Sequence, residues 1–340
     1  MRFDASALWY HDKWRMIIFL LLPFSWLFLL IVTMRRALYR IHWLKTYSLP
    51  IPVIVVGNMT VGGTGKTPLV IELARLLQME GYHPGIVSRG VGGKRHHQPY
   101  QVQLNDSVEK VGDEAILLVK NTACPVVIGI DRVAAAHYLL QHSSCDVVIS
   151  DDGLQHYRLG RDIEIVVIDG QRYFGNQQLL PAGPLREPLR RLHQVDYVIV
   201  NGVAMASSQS DPPRISAMTL EPRELVSIQN EKVTRQLSAF ANQKIHALAA
   251  IGHPERFFQT LRNYQCDVIP HPFPDHYIFR SMDLDFAEAL PIVMTEKDAV
   301  KCLAIRDQQY WYLRVDVMLD ASFQIDLLTR LRTYSMTKVA

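Results

Sequence analysis

The chain has 340 residues, of which 49% are hydrophobic and 20% are charged, and its formal net charge is +3. This length and composition indicate a folded protein with enough chain for two domains, and they argue against a disordered one. Seven Lys or Arg but only two Asp lie in the first 50 residues, so the positive charge is local. That distribution favours anionic lipid headgroups over a nucleic-acid partner. The four cysteines contain no Cys-x-x-Cys pair, which favours a reducing compartment.

The N-terminal segment contains the apolar run MIIFLLLPFSWLFLLIVTM at residues 16–34. In a helix these residues span about 28 Å, close to the roughly 30 Å of a hydrocarbon core. The basic and aromatic segment MRRALYRIHWLKTY follows, where a cleaved signal peptide would have small residues. We therefore predict a membrane anchor in residues 1–45. A buried core helix is the alternative, and Pro23 leaves open whether the anchor spans the bilayer or lies at its surface.

The rest of the chain alternates short apolar segments with helical patterns. Segments such as PVIVV and DVVIS are apolar throughout, as expected of parallel strands that helices cover on both faces. The predicted fold is α/β, with a P-loop NTPase-like, doubly wound, mostly parallel sheet in residues 46–215, and ligands should bind at the carboxyl ends of its strands. In chain order, the predicted elements of this domain are a strand at 52–56, a helix at 67–80, a strand at 84–88, a helix at 113–120, a strand at 125–129, a helix at 132–141, and strands at 146–150, 164–169 and 196–202.

A second, smaller α/β domain is predicted for residues 216–340. It follows the polar stretch ASSQSDPPR and a weakly alternating segment, ISAMTLEPRELVSIQN, which is typical of a two-stranded connection. Its predicted elements are a strand at 244–252, a helix at 254–264, and strands at 266–271, 291–298 and 310–317.

The first predicted strand leads into the glycine-rich sequence VGGTGKT, residues 61–67. A glycine turn between a strand and a helix presents backbone N–H groups to an anion, Lys66 can reach the terminal phosphates, and the Thr67 hydroxyl can bind Mg²⁺. Thr60 stands where the usual template has glycine, but the Gly62–Gly63 pair is typical of a variant loop found in small-molecule kinases and partitioning ATPases. An ordinary glycine turn is the alternative. We predict that ATP is bound by Gly62, Gly63, Thr64, Gly65, Lys66 and Thr67.

A phosphate loop also requires an acidic residue near the metal, at the end of a neighbouring strand. The segment DVVISDDGLQH places Asp151 and Asp152 directly after four strand residues, and Gln155 follows on the same loop. Paired aspartates can also cap a turn or a helix. We predict that Asp151 is the principal Mg²⁺ ligand and that Asp152 is the second candidate.

The ordered motifs together resemble one family. GNMTVGGTGKTP, SRGVGG, VGDEA, DDGLQH, GPLREP, DHY and TEKDAVK follow an apolar N-terminal helix, as in the tetraacyldisaccharide 4'-kinases of lipid A synthesis. The resemblance covers essentially the whole chain. It implies transfer of the ATP γ-phosphoryl group to the 4'-hydroxyl of an acylated glucosamine disaccharide 1-phosphate held in the bilayer. It also implies a bacterial inner-membrane protein. Because the nucleotide site needs cytosolic ATP, we place everything after residue 35, and so the catalytic domains, on the cytoplasmic face, and the sequence indicates no obligate protein partner.

The resemblance further implies roles for individual residues. Asp113 in VGDEA matches the family's catalytic base, His276 in DHY matches its partner, and Lys66 takes part in phosphoryl transfer. By sequence alone, Asp113 could instead cap the helix that begins at Glu114, and His276 could be a solvated loop residue. Glu114 is a further candidate for Mg²⁺ binding. Other candidates for the ATP site are Gln155, Arg89, Arg186 and Glu187.

The alternative function is a membrane-tethered P-loop ATPase switch or partitioning protein that acts on a protein partner. Partitioning ATPases have a signature lysine directly before the glycine pair, where this chain has Val61. The lipid-facing anchor and the DHY motif in the second domain also favour the kinase. Val91 is a departure from the resemblance, because the family usually has an aromatic residue after SRG.

Overall fold

The computed structural model describes residues 9–10, 15–94, 98–202, 214–302 and 309–339, with side chains as far as residue 334. Of the polar stretch at 206–214, only Arg214 is among the described residues. The helices are α1 (Arg15–Arg40), α2 (Lys66–Met79), α3 (Val108–Val111), α4 (Asp113–Thr122), α5 (Arg132–His142), α6 (Pro254–Asn263), α7 (Glu296–Ala299) and α8 (Ala321–Val339). Short 3₁₀ helices cover Leu189–Gln194, Leu237–Phe240 and Ser281–Leu284.

The strands form one sheet. They are β1 (Val53–Gly57), β2 (Pro84–Ser88), β3 (Tyr100–Gln101), β4 (Val126–Ile128), β5 (Val147–Asp151), β6 (Ile163–Asp169), β7 (Tyr197–Asn201), β8 (Arg214–Ser227), β9 (Thr234–Arg235), β10 (Lys244–Ala249), β11 (Asp267–Pro272), β12 (Ile292–Thr295) and β13 (Tyr310–Leu319). Their order is β11-β10-β12-β13-β8-β7-β6-β1-β5-β2-β4-β3, with β9 paired to β8. Pairing is parallel except for β8 with β13, β8 with β9, and β3 with β4. The predicted mostly parallel α/β sheet is confirmed.

The apolar N-terminal run forms the helix α1, which contains Pro23. It is long and apolar enough to cross a membrane, with a mean hydropathy of 2.6 in its most apolar part. Ser25 is its one buried residue among positions 16–40. A core helix would bury a whole stripe of side chains, so the exposure of α1 argues against the core-helix alternative and suits a helix that faces lipid.

The central strand β1 is buried on both faces, as its continuous apolar sequence predicted. Ile54 and Val56 pack in a cluster with α2 and α4, whereas Val53 and Val55 pack in another with α5. Because β1 lies between β5 and β6 in parallel register, the carboxyl ends of these three strands lie at the same edge of the sheet.

The segment ISAMTLEPRELVSIQN, predicted as a two-stranded connection, mostly forms one long strand, β8, which pairs antiparallel with β13. The first residues of β8 pair with β7 in parallel, and the rest pair antiparallel with β13, from Met218 opposite Leu319 to Ser227 opposite Trp311. The register shifts opposite Pro222, which has no N–H to donate. The sheet is therefore continuous from the phosphate-loop half to the C-terminal half.

Candidate active site

The phosphate loop connects the end of β1 to the start of α2. Gly62 and Gly65 have φ angles of +105° and +96°, in a region that a side chain would strain. A Cβ atom on Gly65 would also lie 2.4 Å from the side-chain nitrogen of Asn201. The glycines therefore permit a turn that ends at the N-terminus of α2, which is the place where such loops bind phosphate.

Two asparagines hold the backbone of this loop. The Asn58 amide donates a hydrogen bond to the carbonyl oxygen of Gly62 at 3.2 Å. The Asn201 amide, at the end of β7, donates to the carbonyl of Thr64 at 3.0 Å. Asn201 was not among the predicted site residues, because nothing near the end of β7 indicates a partner 137 positions earlier.

Arg172 links the phosphate loop to the C-terminal half of the sheet. Its Nη2 atom donates to the carbonyl oxygen of Gly63 at 2.5 Å, and its Nη1 atom donates to that of Gly252 at 3.1 Å. Asp169, at the end of β6, accepts from its Nε atom at 2.8 Å. A Cβ atom on Gly252 would come within 2.4 Å of the Gly63 nitrogen. The two backbones are thus in direct contact, and the sequence motif did not reveal this.

Asp151 is the last residue of β5 and is 1% exposed. The Ser88 hydroxyl donates to its Oδ2 atom at 3.0 Å, whereas its Oδ1 atom has no hydrogen-bond partner among the described residues. Burial, together with the charges of Glu114 and Asp152, raises the pKa of Asp151 to about 7. A bound cation would favour the ionised form of such a carboxylate.

Asp152 is paired with two basic side chains. It lies 3.5 Å from the Nζ atom of Lys66 and 3.4 Å from an Nη atom of Arg186. Burial would raise the pKa of Asp152, but these positive charges outweigh burial and hold it below its usual range. The structure therefore brings Lys66, Asp152 and Arg186 together beside the phosphate loop.

Asp113 is the first residue of α4 and is 1% exposed. Gly112 occupies the N-cap position, and the Asp113 carboxylate accepts a hydrogen bond from the Glu114 N–H at 2.9 Å. The Nδ1 atom of His276 lies 3.0 Å from its Oδ1 atom and 3.1 Å from its Oδ2 atom. The predicted pair is in contact, and the capping alternative does not explain why Asp113 faces a histidine.

The Asp113–His276 contact changes the pKa of both groups. Burial would raise the pKa of Asp113, but the hydrogen bond with His276 and the charge of Lys297 lower it below its usual range. The same hydrogen bond raises the pKa of His276, against the opposing effect of burial. The pair therefore favours an ionised carboxylate beside a histidine that binds its proton more tightly than usual.

Two lysines of the TEKDAVK motif complete the surroundings of Asp113. The Nζ atom of Lys297 lies 2.9 Å from Glu114, 3.4 Å from Asp275 and 3.9 Å from Asp113. Burial would lower the pKa of Lys297, but these three carboxylates raise it. Lys297 therefore remains charged between residues from both halves of the chain.

The Lys301 side chain is 1% exposed, and its Nζ atom lies 2.7 Å from Asp298 and 3.6 Å from Asp113. It also donates to the carbonyl oxygen of Ala250 at 3.3 Å. The TEKDAVK motif contributes to the family resemblance but predicts no contact by itself. The sequence gives no sign that its lysines approach an aspartate in α4.

Gln155 and Glu187 lie in a polar cluster behind the phosphate loop. Glu187 is fully buried and accepts hydrogen bonds from Tyr157 at 2.6 Å and from Gln155 at 3.1 Å. Gln155 also donates to the carbonyl oxygen of Asn58 at 3.1 Å. Arg89, in contrast, is exposed on the loop after β2. Of the predicted ATP-site residues, Gln155 and Glu187 therefore belong to a hydrogen-bonded cluster, whereas Arg89 is exposed.

Arg132 is a buried cation that sequence analysis did not identify. Its Nη1 atom donates to the carbonyl oxygen of Gly129 at 2.7 Å, and its Nε atom has no partner among the described residues. Burial lowers the pKa of Arg132 to about 10, although the charges of Asp151 and Asp152 oppose this effect. Arg132 thus contributes positive charge near the two aspartates.

The side-chain oxygen atoms near the phosphate loop suit an Mg²⁺ ion that also binds substrate phosphates better than a metal ion held by protein ligands alone. Within the described ranges, no group of three His, Cys, Asp or Glu side chains could hold a metal ion. The partner-free Oδ1 atom of Asp151 and the hydroxyl of Thr67 in the first turn of α2 are hard oxygen ligands. Mg²⁺ is typically bound through one or two such groups together with substrate phosphates.

A parallel sheet, a glycine-rich loop that enters a helix, and an aspartate at the end of the adjacent strand define a P-loop nucleotide-binding protein. A family model described as tetraacyldisaccharide-1-P 4'-kinase matches residues 17–332. The chain belongs to this family. The resemblance predicted from the motifs is therefore confirmed.

Individual relatives match over nearly the whole chain. The tetraacyldisaccharide 4'-kinase of Nitrosococcus oceani is 49% identical, over 99% of this chain and 98% of that protein. The enzyme of the same name from Methylobacillus flagellatus is 45% identical, over 95% of this chain and 94% of that protein. A crystal structure of LpxK from Aquifex aeolicus in complex with ATP has a TM-score of 0.78 and 30% identity, and covers 93% of this chain and 99% of that one. These matches favour an ATP-dependent kinase over the partitioning alternative.

Proposed function

We propose that the protein transfers the γ-phosphoryl group of ATP to the 4'-hydroxyl of a tetraacylated glucosamine disaccharide 1-phosphate. The names of the relatives support this reaction. The observation that carries it in this chain is the buried contact between Asp113 and His276. The contact lies beside Glu114, whose charge also acts on Asp151 near the phosphate loop. A proton acceptor close to a phosphate site is what transfer to a hydroxyl requires.

On this proposal, Asp113 accepts the proton of the acceptor hydroxyl as the oxygen attacks the γ-phosphorus atom. The bond from that phosphorus atom to the β,γ-bridging oxygen breaks, and ADP leaves. Its lowered pKa keeps the carboxylate ionised. His276 orients the carboxylate through the bond at 3.0 Å. The charges of Lys297 and Lys301 keep the buried carboxylate from rotating away, since both lie within 4 Å of it.

The phosphates of ATP would bind at the loop from Gly62 to Thr67, with Lys66 beside the phosphoryl group that is transferred. Lys66 and Arg186 are held near each other by Asp152, so positive charge is in place before ATP arrives. Gln155 and Glu187 are better explained as supports of the loop than as contacts to ATP, because Glu187 is fully buried.

Mg²⁺ would be held by Asp151 and Thr67, with Glu114 as a further ligand, and would supply positive charge to the phosphates when bound. The raised pKa of Asp151 and its partner-free oxygen support this assignment. Glu114 lies 2.9 Å from Lys297. It would therefore have to exchange that partner, at least in part, to reach a cation.

The N-terminal helix would hold the protein at the membrane that contains its lipid acceptor. Its exposed apolar surface supports an association with the bilayer. Because ATP is cytosolic, we place the catalytic part on the cytoplasmic face of the bacterial inner membrane. No nucleic-acid partner and no obligate protein partner is needed for this reaction.

The decisive experiment incubates the full-length protein, in detergent micelles, with labelled ATP and the acylated disaccharide 1-phosphate. We expect label in a lipid product that carries a 4'-phosphate. ATP hydrolysis without a labelled lipid would contradict the proposal and would favour the switch or partitioning alternative.

A further inference from the structure

One of the contacts between the N-terminal helix and the rest of the protein is made by a buried hydroxyl group, that of Ser25. Ser25 is 2% exposed in a helix whose other described residues are partly or fully exposed. Its Oγ atom donates to the carbonyl oxygen of Leu179 at 2.8 Å and accepts from the N–H of Ala182 at 3.0 Å. These two bonds join the hydroxyl to one loop, 154 and 157 positions away in sequence, and a longer bond of 3.4 Å joins it to the Leu21 carbonyl of its own helix.

The same loop continues into the residues that pair with the phosphate loop. The Val61 N–H donates to the carbonyl oxygen of Pro184 at 2.9 Å, and the Arg186 N–H donates to that of Met59 at 2.7 Å. Leu179 and Met59 pack in one buried cluster. A path of backbone hydrogen bonds and buried side chains thus leads from Ser25 to the residues directly before the glycine pair.

A second contact lies on the same face of the helix. Arg36 follows Ser25 by 11 residues, which is about three helical turns, and its Nε atom lies 3.9 Å from the buried carboxylate of Glu187. Glu187 accepts from Gln155, which in turn donates to the carbonyl of Asn58 at the start of the phosphate loop. The helix is therefore linked to Val61 through the loop that Ser25 binds, and to Asn58 through Glu187 and Gln155.

We propose that Ser25 is a positioning residue, which holds the loop of residues 179–187 against the phosphate loop so that ATP binding depends on docking of the membrane helix. Arg36 acts in the same direction through Glu187. The inference rests on the proposed function only in taking ATP as the nucleotide. It adds that the helix supports the donor site and does not serve as an anchor alone.

The test measures the Kd of labelled ATP for the full-length protein in detergent micelles and compares Ser25→Ala with the wild type. Alanine favours a helix and removes only the hydroxyl, so the fold and the bilayer association should persist. Loss of this buried hydrogen-bonding group should raise the Kd by about three- to tenfold. Hydrogen exchange should become faster in peptides that contain Val61 and Arg186.

Two matched variants control for changes in the helix itself. Thr33→Ala removes another hydroxyl of α1, one that donates to the Leu29 carbonyl of the same helix, and it should bind ATP as the wild type does. Ser25→Thr keeps a hydroxyl group and should recover most of the affinity. Arg36→Met, with Ser25 intact, should also raise the Kd and serves if Ser25→Ala does not fold.

Wild-type Kd and wild-type exchange in Ser25→Ala would overturn the proposal. So would a variant that loses only its association with vesicles while its ATP affinity is unchanged, since the helix would then be merely an anchor. Failure of the proposed lipid kinase reaction is a separate result. The wild type would then bind ATP without phosphorylating the disaccharide, and the comparison of Kd values would still be valid.

Discussion

The Nδ1 atom of His276 lies 3.0 Å from the Oδ1 atom of Asp113, although 163 positions separate the two residues. His276 holds a φ angle of +59°, which is uncommon for a residue other than glycine and costs on the order of 1 kcal/mol. Such a conformation persists when its surroundings determine it. The contact joins the phosphate-loop half of the sheet to the C-terminal half.

Removal of either member of this pair should impair phosphoryl transfer more than ATP binding. We expect Asp113→Ala to lower kcat by about 10²- to 10⁴-fold, because the hydroxyl proton loses its acceptor. His276→Ala should have a smaller effect, and the double variant should be no slower than Asp113→Ala, because the two residues act as a unit. The measurement is a double-mutant cycle on kcat, with Glu109→Ala as an exposed acidic control. A wild-type kcat in Asp113→Ala would show that Asp113 is not the catalytic base.

Lys297 should set the acidic limb of the pH–rate profile. Its charge contributes to lowering the pKa of Asp113, so Lys297→Met should raise that pKa. Asp113 accepts a proton only when it is ionised, and activity is lost as the pH falls through its pKa. The limb of kcat/KM should therefore move to higher pH in Lys297→Met and stay in place in Lys297→Arg. An unmoved limb in Lys297→Met would show that this charge does not act on the base.

Asp151→Asn should stabilise the Mg²⁺-free protein at neutral and higher pH. The folded-state pKa of Asp151 is about 7, above its ordinary 3.8, so the folded state binds the proton more tightly than the unfolded state does. Stability is therefore lost as the pH rises from about 4 to about 7. A neutral amide avoids this loss, and we expect a higher Tm at pH 8 in the presence of a chelator, by the equivalent of about 1 kcal/mol or more.

Asp152→Asn is the matched control for this measurement. The pKa of Asp152 is lowered by the charges of Lys66 and Arg186, so its ionised form contributes stability above its ordinary pKa. The substitution should therefore lower the Tm at pH 8. A decrease of the same size in both variants would contradict the different environments assigned to the two aspartates.

Gly252→Ala should weaken ATP binding. A Cβ atom at this position would lie 2.4 Å from the Gly63 nitrogen, so the phosphate loop would have to shift away from the C-terminal half of the sheet. We expect a rise in the KM for ATP of about tenfold or more, on the basis that backbone clashes of this kind cost roughly 1–3 kcal/mol.

Gly81→Ala separates this effect from a general loss of stability. Gly81 follows the far end of α2 and has a φ angle of +84°, with nothing within 4 Å of an added Cβ atom. The variant should lose some stability but retain the wild-type KM for ATP. Equal KM values in Gly252→Ala and the wild type would show that the contact is not maintained in solution.

Features that depend only on residues close together in the sequence were predictable from it. The apolar runs predicted the buried parallel strands and α1. Apolar side chains are driven out of water, and the composition and periodicity of a short segment show which of its faces are apolar. The glycines of VGGTGKT predicted a phosphate loop, because a left-handed φ angle is a property of a single residue. The aspartates after β5 were placed at the ligand-binding edge because parallel strands end at the same edge of a sheet.

Only the tertiary structure decided which distant groups meet. Asp113 is a buried carboxylate, and its positive neighbours Lys297 and Lys301 both come from the C-terminal half of the chain. The sequence contains Ser25 within an apolar run but does not show which face of α1 meets the protein, since helical periodicity is hidden where every face is apolar. Such contacts are determined by packing over more than 100 positions, and short sequence motifs carry no record of them.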